Sequence, residues 1–444
     1  MTDSTYRTTA IILAAGLGTR MKSRLPKALH RLGNQPMINH LITTARQVFD
    51  DVVVVTGPDM PDLEKAVRPF KTVTQIERLG TAHAANTARD LFGTGDVAIL
   101  YADNPLITAE TMQRLLAARR EGASLALLGM RPAEPGRYGR IVDNHGRVVK
   151  IVEFKDATEE ERRIKLCNAG VMCAGANEFR TWLADVGNDN AQGEYYLTDV
   201  VEMAAKAGPV VCVEAPEAEL AGVNSRSELA RAEATLQTRL RNAAMDAGVT
   251  LVAPETVFFS TDTVIEADVT VEPNVFFGPG VNIRSGALIR AFSHLEGCEV
   301  GENAMIGPYA RLRPGTLCAA QTHVGNFVEL KNVELGEGAK ANHLTYLGDA
   351  SIGSGTNVGA GTITCNYDGV FKHQTTIGER VFVGSDSILV APVTIGDDAL
   401  IAAGSVITSD VPPGDLALGR ARQTLKSGQG LQIKQSLKAR KEQG

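Results

Sequence analysis

The sequence predicts two folds in one chain, an α/β Rossmann-like domain followed by a left-handed parallel β-helix of hexapeptide repeats. Up to about residue 225, short β-branched runs alternate with helix-length segments, which is typical of βα units on a mostly parallel sheet. Beyond residue 249, aliphatic residues recur every six positions, which is the signature of stacked coils. At 444 residues, the chain is long enough for two or three domains.

Composition and charge argue against several classes of function. The net charge of −6 and the isoelectric point near 5.8 disfavour a nucleic-acid surface, because binding to a phosphate backbone usually needs a basic excess. The six cysteines form no CxxC pair, so we expect reduced thiols and no zinc. No apolar run approaches the roughly 20 residues that cross a bilayer, and the N-terminus lacks the order of a signal peptide. We expect a cytoplasmic protein with no membrane and no nucleic acid among its partners.

The first domain opens with the strand TTAIILAAG and continues through further βα pairs. The helical segment MINHLITTARQVF precedes the strand DVVVVTG, and the strand DVAILYADNPLI precedes the helical segment ETMQRLLAARR. This alternation predicts helices on both faces of the sheet. Because ligands of such sheets bind at the carboxyl ends of the strands, the loop after the first strand is a candidate site.

That loop, residues 13–27, reads LAAGLGTRMKSRLPK and combines flexibility with positive charge. Gly16 and Gly18 allow backbone N–H groups to approach phosphate oxygens, and Arg20 and Lys27 can neutralise their charge. A methionine stands where a dinucleotide fingerprint would have its third glycine, and the P-loop pattern is absent. The loop therefore predicts a polyphosphate site, and the alternative is a solvated basic loop.

Nucleotidyl transfer at such a loop also needs a carboxylate to hold Mg²⁺, and Asp103 is the best candidate. It follows the strand VAILY, whose carboxyl end faces the same crevice as the loop. The reaction demands positioning and charge neutralisation rather than covalent chemistry, since an acceptor phosphate attacks the α-phosphate of a nucleoside triphosphate and pyrophosphate leaves. The alternative is that Asp103 only starts a turn before Asn-Pro.

The second half of the chain has a different sequence pattern. A segment rich in Ala, Leu, Arg and Glu, without glycine until Gly248, predicts a connecting helix. The hexapeptide markers then begin with Ile265, Val271, Phe277, Ile283, Ile289 and Leu295, shift phase by one residue, and continue to Ile407. A β-sandwich, the alternative, would alternate with period two. The insertion CNYDGVFKHQTT, between Thr364 and Ile377, breaks the period and is predicted to loop out.

Motifs along nearly the whole chain, from about Thr9 to Gln423, resemble a known family. LAAGLGTRMKSRLPK, QIERLGTAHA, YADNPLI, YGRIV, IVEFKDA, QGEYYLTD and GVNSR resemble the sugar-1-phosphate nucleotidyltransferases. RLRPG, VGNFVELK, NHLTYLGD and NVGAGTITCNYDG extend the resemblance to the bacterial bifunctional N-acetylglucosamine-1-phosphate uridylyltransferase / glucosamine-1-phosphate N-acetyltransferase family. The resemblance implies acetyl transfer from acetyl-CoA to glucosamine-1-phosphate, then uridylyl transfer from UTP with release of pyrophosphate. The product, UDP-N-acetylglucosamine, would supply peptidoglycan and lipopolysaccharide precursors.

The resemblance also divides the chain. It implies a uridylyltransferase domain at 1–225, a linker helix at 226–248, an acetyltransferase β-helix at 249–410 and a C-terminal tail at 411–444. The last part of the tail, KSGQGLQIKQSLKARKEQG, is polar and basic and has no period, so we expect this segment to be mobile or to cover the acyl-CoA.

For the first domain, the resemblance implies residues for UTP, for the sugar phosphate and for Mg²⁺. The UTP phosphates are assigned to Leu13, Ala14, Ala15, Gly16, Arg20 and Lys27, with Arg20 and Lys27 as catalytic cations, and the uridine to Gln75, Gly80 and Thr81. The sugar is assigned to Gly139, Glu153, Asn168 and Thr198, and the metal to Asp103 and Asn224, the latter also beside the nucleotide. Two positions depart from the family pattern, since Ala102 and Ala169 replace its usual Gly and Thr. They bear on affinity rather than on the reaction.

For the β-helix, the resemblance assigns the general base to His343. The sugar phosphate is assigned to Arg313, Lys331, Tyr346 and Asn357, and acetyl-CoA to Ala360, Asn366, Tyr367, Ser385, Ala403 and Arg420. The backbone N–H of Ala360 is the implied oxyanion donor.

The spacing of the cations and the base carries a geometric prediction. Arg313 and Lys331 are 18 residues apart, one three-sided coil, so they should stack on one face. His343 lies 12 residues further on, so it must occupy another face or come from a neighbouring chain. Members of the family are trimers with a shared acetyl site, and the resemblance therefore implies a homotrimer. Two alternatives remain: a monofunctional nucleotidyltransferase whose β-helix serves only assembly, and a non-catalytic regulatory subunit.

Overall fold

The computed structural model describes residues 6–144 and 146–443, and the chain divides into two compact units between Leu240 and Arg241. The first unit is an α/β fold and the second is a parallel β-helix, as the sequence predicts. Within the described ranges, none of the helices is both long enough and apolar enough to span a membrane.

The first unit consists of strands and helices that largely alternate along the chain. Its strands are β1 (Thr9–Leu13), β2 (Arg31–Leu32), β3 (Gln35–Pro36), β4 (Asp51–Thr56), β5 (Lys71–Thr74), β6 (Asp96–Tyr101), β7 (Leu125–Met130), β8 (Arg140–Asn144), β9 (Arg147–Val152), β10 (Cys167–Gly175) and β11 (Val210–Glu214). Its helices are α1 (Met37–Ala45), α2 (Pro61–Ala66), α3 (Thr81–Thr87), α4 (Ala109–Arg120), α5 (Glu159–Arg162), α6 (Ala176–Asp185), α7 (Asp199–Ala207), α8 (Glu217–Leu220) and α9 (Arg226–Asp246), which extends into the second unit.

The central sheet has the strand order β11-β7-β10-β6-β1-β4-β5. β1 lies between β6 and β4 and runs parallel to both, whereas β10 is antiparallel to β6 and β7. β8 and β9 form an antiparallel pair that joins the sheet at β10. The carboxyl ends of β1, β4 and β6 therefore meet at one edge, where the sequence places the phosphate loop and Asp103.

Both faces of this sheet are buried. On β1, Ala10 and Ile12 belong to one hydrophobic cluster, with Leu115 of α4, and Ile11 belongs to the other, with Phe179 of α6. This alternation follows from the period of two of a strand, and it explains why the strands read as continuous apolar runs. Each fully buried aliphatic side chain stabilises the fold by roughly 1.5–3 kcal/mol, so the loops at the sheet edge rest on a firm base.

The first part of α9 packs against the first unit. Ala232 and Leu236 are buried in a small cluster with Leu32, Leu106 and Val223. α9 covers most of the range predicted for the connecting helix, and its first half is also a structural part of the first unit.

The second unit is made of short strands joined by tight turns. The strands of its first coils are β12 (Thr250–Leu251), β13 (Val264–Ile265), β14 (Thr270–Val271), β15 (Phe276–Phe277), β16 (Asn282–Ile283), β17 (Leu288–Ile289), β18 (His294–Leu295), β19 (Cys298–Val300), β20 (Met305–Ile306), β21 (Arg311–Arg313), β22 (Thr316–Cys318) and β23 (His323–Asn326). Those of the later coils are β24 (Glu329–Leu335), β25 (Lys340–His343), β26 (Tyr346–Ile352), β27 (Asn357–Val358), β28 (Ile363–Cys365), β29 (Thr375–Ile377), β30 (Phe382–Val383), β31 (Ile388–Val390), β32 (Val393–Ile395), β33 (Leu400–Ile401), β34 (Val406–Ile407) and β35 (Leu416–Ala417).

These strands stack in three parallel columns, one for each side of the β-helix. The first column is β12-β14-β17-β20-β23-β25-β27-β30-β33-β35. The second is β15-β18-β21-β24-β26-β28-β31-β34, and the third is β13-β16-β19-β22-β24-β26-β29-β32. β24 and β26 are long enough to turn from the second side into the third.

The hexapeptide markers are the residues that stack inside the coils. Ile289 pairs with Ile306 and Ile306 with Val324, and all three side chains are 0% exposed. The coil from Leu288 to Met305 is one residue shorter than the coil that precedes it. This shorter coil accounts for the one-residue shift in the marker pattern.

The insertion and the tail differ in how well the sequence predicts them. The insertion does loop out, as a short hairpin in which Tyr367 bridges to Lys372. The tail contains β35, which pairs with β33 in a further coil and precedes the segment expected to be mobile or to cover the acyl-CoA. Its marker is Ala417, which is too small to stand out as an aliphatic repeat. The helix α10 (Gln429–Glu442) follows with every residue exposed.

Candidate functional sites

The loop after β1 has the geometry that a phosphate ligand needs. The Ala14 N–H donates to the Val55 carbonyl at 2.8 Å, which ties the start of the loop to the sheet. Gly18 has a φ of +64°, and a Cβ there would lie 2.6 Å from the Lys27 Cβ, so only glycine fits. A Cβ on Gly16 would meet no atom within 4 Å, and this face of the loop is therefore open to a ligand. Arg20 is exposed beside it.

The predicted cation and the predicted metal ligands meet at one point. Lys27 Nζ donates to Asp103 Oδ2 at 2.5 Å and to Asn224 Oδ1 at 2.8 Å. The Val223 N–H donates to the Asp103 carbonyl at 2.8 Å, which places Asn224 beside the end of β6 although 121 residues separate the two positions. The sequence could assign Asn224 only through the family resemblance, because no local pattern links it to Asp103.

The residues assigned to the uridine are held together between β5 and α3. Gln75 is buried, and its Nε2 donates to the Gly80 carbonyl at 3.1 Å. Gly80 has a φ of +122°, and a Cβ there would lie 2.5 Å from the Tyr195 carbonyl oxygen. Thr81 Oγ1 accepts the Leu197 N–H at 2.9 Å. A glycine is therefore required at the start of α3, where the backbone passes close to that of Tyr195.

The residues assigned to the sugar also converge. The Gly139 carbonyl accepts the Asn168 N–H at 2.9 Å, and Thr198 Oγ1 donates to Glu153 Oε1 at 3.2 Å. A Cβ on Gly139 would lie 3.1 Å from Ile151 Cγ2 and 3.5 Å from Glu153 Oε2, so the backbone of Gly139 lies close to that carboxylate. Burial raises the pKa of Glu153 above its ordinary value, and Asp199 adds to the rise.

Two side chains of this unit were missed by the sequence analysis. Arg78 Nε donates to the Ala15 carbonyl at 2.9 Å, so an exposed arginine of QIERLG fastens the phosphate loop. Tyr101, at the end of β6, bonds to Thr81, and burial raises its pKa, with Glu153 adding to the rise. Arg78 lies within the motif QIERLGTAHA, so it could have been noticed as a cation near the loop. Tyr101 gave no signal beyond an aromatic residue at the end of a strand.

The two departures from the family pattern are accommodated without visible distortion. Ala102 and Ala169 are buried, at 3% and 5% exposure, so the methyl group of each lies in the core. The Ala102 N–H donates to the Leu13 carbonyl at 3.1 Å and keeps the ends of β1 and β6 together.

In the β-helix, the two predicted phosphate cations stack as their spacing requires. Arg313 of β21 and Lys331 of β24 are register partners on adjacent coils. Glu329 accepts a hydrogen bond from Arg313 Nη1 at 2.9 Å and lies 3.7 Å from Arg311 Nη1, which balances part of the positive charge. Tyr346 pairs with Glu329 on the next coil, so it lies on the same side as the cations.

A cation that the sequence analysis did not single out joins this group. Lys372, in the inserted loop, lies beside Lys331, and contact with it, together with burial, lowers the pKa of Lys331. Asp349 is 3.9 Å from Lys331 Nζ and accepts Asn366 Nδ2 at 2.5 Å. Burial would raise the pKa of Asp349, but hydrogen bonds from Asn332 and Asn366 and the two lysines hold it below its ordinary value. The inserted loop therefore adds positive charge to the predicted phosphate site.

Two of these groups, Asp349 and Lys372, border an open cavity of about 340 Å³ whose lining does not include Lys331. Its lining includes Asn332, Asp349 and Lys372. The assigned residue Asn366 is buried beside it, while Tyr367 is 60% exposed and points its hydroxyl to the Gly369 carbonyl at 2.5 Å.

His343 lies on another side, as expected, and there it heads a column of assigned residues. Its carbonyl accepts the Gly361 N–H at 3.3 Å, the Ala360 carbonyl accepts the Asp386 N–H at 2.7 Å, and the Ser385 carbonyl accepts the Gly404 N–H at 2.8 Å. Arg420 Nη1 then donates to the Ala403 carbonyl at 2.6 Å. The predicted base and four of the residues predicted for acetyl-CoA thus occupy one corner of successive coils, whereas the other two, Asn366 and Tyr367, lie in the inserted loop.

The His343 side chain is exposed and has a defined partner. Its Nδ1 lies 2.6 Å from Oδ1 of Asn326, which occupies the same position on the coil before. Asn357, assigned to the sugar, lies on the next coil of the same column, where it pairs with Lys340.

The cysteines have no visible role at either site. All six are unpaired thiols, and Cys167, Cys173, Cys298 and Cys318 are buried. Burial raises the pKa of Cys298 to about 12, so this thiol is not a nucleophile at neutral pH.

A glycine loop at the sheet edge beside an aspartate and an asparagine, combined with a β-helix that carries a histidine and a cation cluster, defines a two-site transferase. Residues 10–158 match the family model described as a MobA-like NTP transferase domain, and residues 374–409 match a hexapeptide repeat of succinyl-transferase. A solved structure of UDP-glucose pyrophosphorylase complexed with UDP-glucose is 19% identical, with a TM-score of 0.45, and covers 52% of this chain and 99% of its own. That likeness is too distant to bear on function.

The chain belongs to the GlmU family of bifunctional proteins. It is 96% identical over 444 residues to the Bifunctional protein GlmU of Gluconobacter oxydans, with 100% of both chains covered. It is also 65% identical to the corresponding protein of Gluconacetobacter diazotrophicus, over 98% of this chain and 96% of the relative. The chain is therefore a bifunctional enzyme, with a nucleotidyltransferase domain and a hexapeptide acyltransferase domain.

Proposed function

We propose that the first unit transfers the uridylyl group of UTP to N-acetylglucosamine-1-phosphate. The observation that carries this proposal is the meeting of Lys27, Asp103 and Asn224 beside the open face of the glycine loop. A phosphate oxygen of the sugar attacks the α-phosphorus of UTP, a P–O bond forms, and the bond to the pyrophosphate oxygen breaks. Arg20 and Lys27 neutralise the charge on the phosphates, and Glu153 and Asn168 hold the sugar.

The residues present suit a magnesium ion. The Asp103 carboxylate and the Asn224 amide oxygen both turn toward one cation, the Lys27 ammonium, and oxygen ligands of this kind are those that Mg²⁺ prefers. Asp103 and Asn224 would hold the ion, which would supply charge stabilisation to the phosphate oxygens. Lys27 would then be released from both oxygens and turned toward the phosphates.

We infer that the second unit transfers the acetyl group of acetyl-CoA to glucosamine-1-phosphate. The supporting observation is the single column from His343 through Ala360 and Ser385 to Ala403. His343 takes a proton from the ammonium of the sugar, the amine attacks the thioester carbonyl, a C–N bond forms, and the C–S bond breaks with CoA as leaving group. The Ala360 N–H is the proposed oxyanion donor, and the cations Arg313, Lys331 and Lys372 hold the sugar phosphate.

We further propose a homotrimer in which a neighbouring chain completes this acetyl site. Three rings stack at one corner of successive coils, Phe292 on Tyr309 at 4.9 Å and Tyr309 on Phe327 at 5.2 Å, and Leu344 follows next to His343. All four are about half exposed or more, and all have positive φ, which costs bulky residues roughly 1–2 kcal/mol each. A second copy that covers these exposed apolar side chains would remove them from water, and this burial stabilises the assembly.

Sedimentation velocity of the full chain tests this assembly. The wild type should sediment as a trimer. Phe292→Glu, which changes the ring farthest from His343, should dissociate the trimer. It should abolish acetyl transfer and leave uridylyl transfer intact. Val252→Glu, which places the same charge at another exposed apolar position, is the matched control and should remain trimeric. A wild-type monomer would contradict the shared site.

Release of free CoA thiol tests the acetyl transfer itself. The whole chain should release thiol from acetyl-CoA only when glucosamine-1-phosphate is present, and His343→Ala should not. If no thiol appears in a protein that still makes UDP-N-acetylglucosamine from UTP and N-acetylglucosamine-1-phosphate, the β-helix is an assembly scaffold. The product of the two steps would supply peptidoglycan, lipopolysaccharide and lipid A synthesis in the cytoplasm.

A further inference from the structure

We propose that Asn326 is a positioning residue, which selects the tautomer of His343 that can act as a base in acetyl transfer. The proposal rests on the proposed acetyltransferase function of the β-helix. Its starting point is the 2.6 Å contact between His343 Nδ1 and Asn326 Oδ1.

The atoms in this contact decide where the imidazole proton lies. An amide oxygen can only accept a hydrogen bond, so the proton of neutral His343 must be on Nδ1. The lone pair is then on Nε2, which is the nitrogen available to take a proton from a substrate ammonium. Without a partner for Nδ1, the ring would be free to rotate and to exchange tautomers.

The backbone around the pair is too well tied for the contact to be accidental. Asn326 and His343 are register partners, and the Leu344 N–H donates to the Asn326 carbonyl at 3.1 Å. The His343 carbonyl accepts Thr345 Oγ1 at 2.7 Å. A Cβ on Gly325 would lie 2.0 Å from the Asn342 carbonyl oxygen, so a glycine at this position lets the two coils approach closely.

The surrounding charges do not replace this contact. His323, on the same strand as Asn326, is the titratable neighbour that interacts with His343. Burial, Lys340, Arg290 and His343 together lower the pKa of His323, so it carries little charge at neutral pH. His343 therefore depends on a neutral amide, which orients the ring without drawing a proton onto Nε2.

The expected kinetics of two substitutions differ in kind. Asn326→Ala should lower kcat of acetyl transfer by about tenfold or more at every pH, with little change in the KM of either substrate, because the ring loses its orientation. Asn326→Asp should restore the orientation but raise the pKa of His343 through its negative charge. Its activity should therefore be low at neutral pH and rise toward the wild-type value at higher pH.

The experiment is the pH profile of kcat and kcat/KM for thiol release, with uridylyl transfer measured on each sample to show that the chain is folded. Asn282→Ala, an outward asparagine on β16, is the matched control and should behave as the wild type. The profile is repeated with His323→Gln, so that titration of His323 is not mistaken for that of His343.

The outcomes separate the inference from the function beneath it. Recovery of Asn326→Asp at high pH, without recovery of Asn326→Ala, supports the positioning role. If His343→Ala abolishes thiol release while both Asn326 variants keep the wild-type rate and profile, the base assignment survives and the role of Asn326 is refuted. If His343→Ala retains thiol release, the proposed function of the histidine fails, and the inference fails with it.

Discussion

At the scale of single residues, the nucleotide site depends on side chains that are far apart in sequence and share one cation. Lys27 bridges Asp103 and Asn224, and Arg78 fastens the carbonyl of Ala15. All four side chains lie outside the strands of the sheet. Substitutions here should change chemistry and binding more than stability.

Replacing Asp103 tests the division of labour between the two sites. Asp103→Ala should reduce UDP-N-acetylglucosamine formation by about 10²–10⁴-fold, since it removes a proposed ligand for magnesium and a partner of Lys27. Thiol release from acetyl-CoA should be unchanged. Asp62→Ala, an exposed carboxylate on α2, serves as the control. Loss of both activities in a folded protein would refute the separation of the sites.

The raised pKa of Glu153 predicts a pH dependence of opposite sign for stability and for binding. Its folded pKa lies above the ordinary value of 4.5, so the stability contributed by its protonated form is present in acid and is lost as the pH rises through the folded pKa. In the proposed sugar site the ionised form of Glu153 accepts hydrogen bonds from the sugar hydroxyls, so the KM for N-acetylglucosamine-1-phosphate should rise as the pH falls through the same value.

Glu153→Gln should separate these two effects. The variant should raise the melting temperature at neutral pH, because no charge is buried, while its KM for the sugar phosphate becomes higher and independent of pH. Thermal unfolding and steady-state kinetics between pH 5 and pH 8 measure both. The exposed Glu121→Gln is the control, and a wild-type KM profile in Glu153→Gln would contradict the sugar assignment.

At the scale of elements, the β-helix derives its stability from stacks of inward aliphatic side chains. Ile289 of β17 lies between Val271 and Ile306 and is 0% exposed. Every coil repeats this arrangement, so each inward residue supports the coils on both sides of it.

Ile289→Ala should therefore weaken the second unit selectively. The cavity that it leaves should cost about 2–5 kcal/mol, against about 0.5–1.5 kcal/mol for Ile289→Val. Heating each variant and assaying the residual activities should show the midpoint for acetyl transfer at a lower temperature and that for uridylyl transfer unchanged. Equal loss of both activities would mean that the units do not unfold independently.

At the scale of the whole molecule, the chain joins two compact units whose proposed reactions are consecutive. Because α9 packs on the first unit through Ala232 and Leu236, a chain cut inside the helix would expose part of that core. Point variants of the intact chain are therefore a cleaner way to separate the reactions than truncation.

A mixture of Asp103→Ala and His343→Ala proteins should restore the complete pathway. Neither variant alone should convert glucosamine-1-phosphate, acetyl-CoA and UTP into UDP-N-acetylglucosamine. Together they should do so, because each supplies one intact site and the intermediate can diffuse between molecules. Nucleotide-sugar product, measured by chromatography, is the readout. A mixture as inactive as its components would show that the intermediate must stay within one assembly.

Much of this structure can be predicted from the order of residues along the chain, because the interactions that determine it are local in sequence. The period of six predicts the coils, the alternation of strand and helix predicts the sheet, and the glycines of the first loop predict an open phosphate site, all from neighbours in sequence. The stacking of Arg313 on Lys331 also follows, since their spacing of 18 residues equals three hexapeptides, one full coil.

Contacts that depend on how distant segments meet were decided by the tertiary structure alone. The placement of Asn224 beside Asp103 and of Lys372 beside Lys331 depends on loops whose paths no local pattern specifies. The pairing of Asn326 with His343 depends on side-chain rotamers that form only when one coil lies on the next. The sequence determined which chemistry each unit can hold, and the packing of its turns decided which atoms face each other to perform it.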